Sequence, residues 1–463
     1  MKTPLRSRTP KTYAALSLAA ILLAPFALAG HGIAQQGGAP AKETSAAPTA
    51  VEGQIDELER RIQILTEEIR RIRETQAIPE GEEFVEEELE SVYGFAPAAS
   101  KIYRKERRGL SLGGYGEFNL KKEVSDKQGN DDVFDFLRFV GYVGYKFTDR
   151  ILLNTEIEFE HGSTSNNGSV SVEFGYLDFL LTPAANIRAG LLLVPVGFIN
   201  EMHEPPFFHG NDRPAVERQI IPTTWRANGA GFFGEILPGL EYRTYAVTSL
   251  RASEFTSANL RDGRQNGSEE KAEDFSWVGR LDYEPWSGLD FSSSVYLGNQ
   301  GQDDQIVLER DPVTGDPIRT GTASAFMQMY EAHAQWRWRG IEARALGVWV
   351  ELDDAASLSV NAGEPIGQRM TGWYAELAYD VMPLLWARTE QYLAPWVRYS
   401  RYNTQEEVAR GFSPDDNDDR RSIDVGIDYK PIPEVVIKLD YRNEDAEQGD
   451  RPDVVRVGAG FIF

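Results

Sequence analysis

The side chains able to carry chemistry are few: five histidines and no cysteine. A thiolate nucleophile, a disulfide framework and a zinc ribbon are therefore excluded. His203 and His209 stand near Glu201, Glu204 and Asp212, and imidazole with carboxylate is a donor set that suits a transition metal. Their spacing matches no tight ligand motif and Pro205 and Pro206 lie between them, so polar contacts that shape a loop are the expected role and no metal is expected. Asp415-Asp416-Asn417-Asp418-Asp419 lacks the glycine and closing glutamate of a calcium loop; a solvated external loop, bridged to lipid phosphates by divalent cations, is the expectation. A hydrolase would need a histidine beside a nucleophile or carboxylate at an accessible strand end. His161 falls in an expected external loop and His333 lies mid-strand beside Glu331, and neither completes a triad. Neither an enzyme nor a cofactor is expected.

Composition narrows the scaffold that positions these residues. The chain has 463 residues, with 48 Lys and Arg against 72 Asp and Glu, a net charge of −24. Such acidity argues against nucleic acid as a partner, because that binding draws on Lys and Arg to neutralise phosphates. A polytopic helical membrane protein needs repeated apolar runs of about 18 residues or more, and only one long apolar run exists, at the N-terminus. There Lys2, Arg6, Arg8 and Lys11 precede an apolar stretch from Ala14 to Leu28 that ends in Ala27-Leu28-Ala29. Residues 1–29 thus read as a signal peptide, with a second candidate cut after Ala34. Residues 30–50 are small and polar, a flexible linker. In 51–76, Val51, Ile55, Leu58, Ile62, Leu65, Ile69 and Ile72 recur at alternating spacings of four and three. That is a coiled-coil seam, which requires partner helices and leaves two or three strands open. Residues 77–109 read as an acidic spacer.

From 110 to 463 the apolar period changes to two. At the C-terminus Val455, Val457, Ala459, Phe461 and Phe463 share one face, and Arg456, Gly458 and Gly460 the other. Sixteen candidate strands follow this pattern, from 110–120 to 453–463, with short turns such as Leu237-Pro238-Gly239 and Arg339-Gly340 alternating with long polar connections. An even number of strands of about ten residues, short turns at one end and long loops at the other, is the signature of a 16-stranded antiparallel transmembrane β-barrel. Tyr142, Tyr145, Phe147, Trp336, Trp338, Tyr429 and Tyr441 fall near strand ends, where interfacial girdles sit. The opposite face carries Arg138, Arg188, Arg243, Arg280, Arg337, Arg344, Arg398, Lys438, Arg442 and Arg456 beside Glu117, Glu156, Glu158, Glu173, Asp282, Glu331, Asp424 and Asp440. A dry core of such charges is too costly, so the interior is expected to hold water.

With both termini periplasmic, the third long loop is residues 195–227, where five prolines and apolar Phe198, Ile199, Phe207, Phe208, Ile220 and Ile221 alternate with charges. A loop so composed packs, and it is expected to fold into the lumen as a constriction. His203-Glu204-Pro205-Pro206 through Ile221-Pro222-Thr223-Thr224-Trp225-Arg226, with Arg398-Tyr399-Ser400-Arg401-Tyr402-Asn403 and Val435-Val436-Ile437-Lys438-Leu439-Asp440-Tyr441, resembles the phosphate- and polyphosphate-selective porins O and P. The resemblance covers about 110–463 and implies a trimeric sixteen-stranded channel of the Gram-negative outer membrane, in contact with its lipid. Phosphate-selective members carry a lysine cluster at the constriction. The loop here has no lysine; Arg213, Arg218 and Arg226 face Glu201, Glu204, Asp212 and Glu217, a near balance that gives a transverse field rather than a filter of one sign. The expectation is a porin of modest selectivity for small hydrophilic solutes or inorganic ions. An anion-selective or phosphate-selective pore is its variant, and a barrel anchoring the coiled coil to the cell wall or a partner is the reading of another class.

Overall fold

Alternation of apolar and polar residues produces strands that cannot bury both faces, and here they close on themselves. The structure, a computed structural model, describes Arg61 and residues 89–463 apart from 125–131, 166, 387–388 and 449–450. The signal peptide, linker and coiled-coil seam lie outside the described residues. The first strands are β1 (Gly109–Glu123), β2 (Val133–Thr148), β3 (Ile151–Glu160), β4 (Val170–Thr182) and β5 (Ala185–Leu193). They continue as β6 (Arg226–Leu237), β7 (Leu240–Thr248), β8 (Phe275–Trp286) and β9 (Leu289–Asn299). A separate hairpin of β10 (Gln305–Arg310) and β11 (Pro317–Thr322) rises from the next loop. The barrel resumes with β12 (Phe326–Trp338), β13 (Ile341–Leu352), β14 (Gly367–Tyr379) and β15 (Tyr392–Val408), and ends with β16 (Asp419–Ile432), β17 (Val435–Ala446) and β18 (Val454–Ile462).

The sixteen barrel strands pair antiparallel and in sequence, and β1 pairs with β18 to close the ring. Phe463 completes the seam: its N–H donates to the Gly114 carbonyl at 2.9 Å, and the Gly114 N–H donates back at 3.0 Å. Closure leaves the barrel no unpaired edge.

Burial is inverted relative to a water-soluble protein. Leu112, Phe134 and Trp286 are 59%, 73% and 63% exposed on the outside, whereas Glu156 and Arg188 inside are 0% and 1% exposed. An apolar exterior around a charged interior is the arrangement that lipid demands of a barrel. Tyr145, Phe147, Trp336 and Trp338 face outward as a girdle would. Tyr142 does not: its place in the alternation turns it inward, where it stacks on Phe174 at 6.0 Å.

Among the described residues, two segments enter the lumen. One is the loop between β5 and β6, residues 194–225, as the sequence led us to expect. The other lies within the stretch read as an acidic spacer. Phe95, Ala96, Ala98, Ala99, Ser100 and Ile102 are buried, and Lys101–Arg104 forms one helical turn. This segment precedes β1, so it occupies the end of the barrel where the short turns lie. Small side chains let it fit: the Phe95-Ala96-Pro97-Ala98-Ala99-Ser100 run has little bulk beyond Phe95, which tilts against Phe174 at 5.4 Å. Glycines in the wall make matching recesses for the loop. A methyl group on Gly460 would stand 2.4 Å from Pro205 Cβ, and one on Gly372 would stand 2.8 Å from both Val216 and Ile220.

Candidate functional site

The constriction loop is held at its base by one side chain. Asn200 donates from Nδ2 to the carbonyls of Val194 (2.7 Å) and Trp225 (2.9 Å), and its Oδ1 accepts the Trp225 N–H at 2.7 Å. Strand β5 leads into this clasp and β6 leads out of it. Between the two ends Ile199, Val216, Ile220 and Ile221 are fully buried, and the short helix Ala215–Gln219 carries Glu217 inward. Glu217 is a clamp: Oε2 accepts the Ile199 N–H at 2.6 Å and Oε1 accepts the Tyr374 hydroxyl at 2.7 Å.

The remaining acids of the loop are also engaged. Glu201 Oε2 accepts from Arg243 at 2.7 Å. Glu204 accepts the N–H groups of Ala98 (3.2 Å) and Ala99 (2.8 Å), which ties the loop to the N-terminal segment. Asp212 sits 2.6 Å from Arg456 and 3.4 Å from Arg442. The two histidines diverge. His203 approaches Glu156 on β3 at 3.1 Å, whereas Nδ1 of His209 lies 2.8 Å from Asp428 on β16 with the ring stacked on Trp396. Burial disfavours charge on His209, but Glu376, Asp428 and Glu342 outweigh it and hold the ring up to about 9. The sequence grouping of His203 and His209 with Glu201, Glu204 and Asp212 is thus dispersed. A different trio gathers instead: Glu156, Glu173 and His203, all buried.

The wall arginines are not bathed in water as the sequence suggested. Arg138 bridges Glu117 (2.8 Å) and Glu158 (3.0 Å). Arg188 forks onto Asp178 at 2.8 and 2.9 Å and donates to Tyr103 Oη at 2.7 Å. Arg243 reaches Glu201, Asp282 and the Tyr93 carbonyl, while Arg280 reaches Asp282 and the Gly197 carbonyl. Arg344 and Arg398 share Glu376, and each also donates to a loop carbonyl, of Phe207 and of His209. Lys438 donates to the carbonyls of Phe208 and Gly210 at 2.8 Å each. Arg442 meets Asp424 as well as Asp212. The physical reason is that protein fills this level of the barrel, so charges removed from water require partners. Arg337 differs: it lies at the exposed end of β12, 3.6 Å from Asp290.

One group of cations lacks such partners. Arg213 has a buried Nη2 with no hydrogen bond, and Arg218, on the same loop, is exposed. Arg261 and Arg264 approach them from the long loop between β7 and β8, Arg264 donating to the Thr224 carbonyl. Among the described residues no carboxylate forms an ion pair with Arg213, Arg218, Arg261 or Arg264. Burial and then the neighbouring arginines push Arg261 down to about 9, and burial and then Arg226 push Arg264 down to about 10. Arg226, grouped with them by the sequence, is instead bound to Glu173 at 2.8 Å. Asp178, Glu376 and Asp428 escaped the sequence reading although their strand parity marks the inner face. Arg261 and Arg264 lie in a loop with no period to reveal them.

No protein-family model matches the chain. An Aquifex aeolicus (strain VF5) protein described as an uncharacterized protein is 32% identical over 385 residues, covering 80% of this chain and 83% of that one. Among solved structures, the Vibrio cholerae outer membrane protein OmpT with loop L8 deleted is similar at 12% identity and a TM-score of 0.49, over 76% of this chain and 99% of that one. The Salmonella typhi OmpF complex with daunomycin has 12% identity and a TM-score of 0.49, over 77% and 98%. The anion-selective porin from Comamonas acidovorans has 11% identity and a TM-score of 0.48, over 77% and 100%.

Proposed function

We propose, for a chain that belongs to one family with the Aquifex aeolicus protein, that the barrel is an outer-membrane porin passing small hydrophilic solutes by diffusion, with a preference for anions. The observation that carries the preference is the set Arg213, Arg218, Arg261 and Arg264, gathered without described ion pairs, with Arg261 pushed down by burial and then by the other three. By count the loop balances three arginines against four acids, but Glu201, Glu204, Asp212 and Glu217 are occupied by wall or backbone donors. Positive charge is what remains to act on a solute, and a patch of one sign raises the local concentration of the other.

The channel sits in outer-membrane lipid as a homotrimer with the coiled coil on the periplasmic side. The reversal potential of the purified protein across a KCl gradient tests the central claim. A chloride-directed potential supports it, and a potassium-directed one overturns it. Phosphate uptake, implied by the resemblance to porins O and P, is the narrower form, and requires phosphate to block chloride current at low concentration.

A second reading draws support from the buried segment around Phe95–Ile102. A barrel stoppered by its own chain serves as an anchor for the coiled coil, and a purified protein that passes no current favours that role.

A further inference from the structure

The constriction loop meets the wall at a place where anionic atoms outnumber what holds them. Glu156 on β3 and Glu173 on β4 face His203 from the loop, and one ligand atom from each lies within 4.8 Å of the others. His203 Nδ1 is 3.1 Å from the Asn200 carbonyl, so when Nε2 gives up its hydrogen the remaining one stays on Nδ1 and the Nε2 lone pair turns to the carboxylates. Nε2 stands 3.1 Å from Glu156 Oε1 and 3.8 Å from Glu173 Oε2. Three acceptors thus converge.

Two further observations show that the neighbourhood is incomplete. Glu156 Oε2 and Glu173 Oε2 are buried without a hydrogen-bond partner, as is the hydroxyl of Tyr115, whose ring packs 5.8 Å from His203. Arg226 holds only the other oxygen of Glu173, and Arg138 is taken by Glu117 and Glu158. With Arg213 also facing the trio, four acids are set against three arginines. An unpaired buried carboxylate oxygen is costly, and a cation is the group that satisfies several at once.

We propose that Glu156, Glu173 and His203 bind a divalent transition-metal cation of the zinc class, which fastens the constriction loop to the barrel wall. Imidazole with carboxylate suits zinc better than calcium or magnesium, which favour all-oxygen shells. Ligands about 2 Å from zinc stand about 3.3 Å apart in a tetrahedron, so rotation of the carboxylates closes the set. The backbone carbonyl on Nδ1 is the outer partner that fixes a ligating histidine's tautomer. The cation spans three elements, β3, β4 and the loop, and removing it frees the loop rather than the barrel.

The test uses full-length protein in detergent, stripped with EDTA, loaded with zinc sulfate, desalted, and assayed by plasma mass spectrometry. The expected result is about one zinc per chain. H203Q and E173Q should retain at least about tenfold less, while H161Q, altered in an external loop, retains the full amount. Should H203Q not assemble, E156Q takes its place. Wild-type protein that holds less than about a tenth of an equivalent, or zinc kept equally by H203Q and E173Q, overturns the site. Current through the channel is not part of the readout, so the result stands apart from the porin reading.

Discussion

Two sets of arginines inside this barrel have the same chemistry and opposite circumstances. On the wall, Arg188, Arg243, Arg398 and Arg442 each meet a carboxylate, and all but Arg442 also donate to a hydroxyl or carbonyl of an inserted segment. Beside the constriction, Arg213, Arg218, Arg261 and Arg264 form no described ion pair, and Arg261 has the other three as its nearest charges. The difference teaches that an arginine in a lumen is a fastener or a filter according to its neighbours, and that counting charges along the sequence does not distinguish the two.

The largest effect that separates the sets is on stability. Arg243→Ala leaves the buried Glu201 without its main partner and Asp282 with Arg280 alone, and removal of one member of a buried pair costs about 3–5 kcal/mol. Arg261→Ala should change stability by no more than about 0.5 kcal/mol. Urea unfolding midpoints of the two variants, followed by loss of heat-modifiable migration, give the comparison, and equal shifts would erase it.

Next comes an acid held by backbone rather than by arginine. Burial, opposed by the Ala99 and Ala98 N–H groups, holds the Glu204 carboxyl up to about 7. A carboxyl raised in the folded state contributes stability that is complete below its unfolded value of about 4.3 and is lost as pH rises through the folded value. Melting temperatures should therefore fall between about pH 4 and pH 8 by the equivalent of about 1–3 kcal/mol. E204Q should remove that part of the slope, and an unchanged slope refutes the assignment.

The filter responds to a smaller change. Arg213→Gln with Arg218→Gln removes about 1 kcal/mol of attraction for a monovalent anion, roughly a fivefold drop in the chloride-to-potassium permeability ratio. The smallest effect is Tyr103→Phe, which deletes the hydroxyl between Asp178 and Arg188 and should cost about 0.5–1 kcal/mol. Their direct pair persists, so a larger loss in the urea midpoint would mean that the N-terminal segment itself had left.

Most of the barrel was legible in the sequence because lipid outside and charge inside impose a strict period of two. All sixteen strands appear, and the third long loop does enter the lumen. The partners of the wall arginines were not legible, since Arg398 and Glu376 meet only after β14 and β15 are placed in register. Nor was the segment around Phe95–Ile102: its small residues have no period, and what buries them is the shape of a cavity made by distant strands. Tyr142 shows the limit of reading by position alone, because proximity to a strand end says nothing about which face the ring takes.

The bonds between Gly114 and Phe463 join the first strand to the last residue of the chain. Until β18 pairs with β1, the sheet is an open ribbon with two raw margins, and none of the intervening strands can seal it. A frameshift or nonsense codon in the final strand would thus yield a polypeptide with nearly every pairing available and no finished wall.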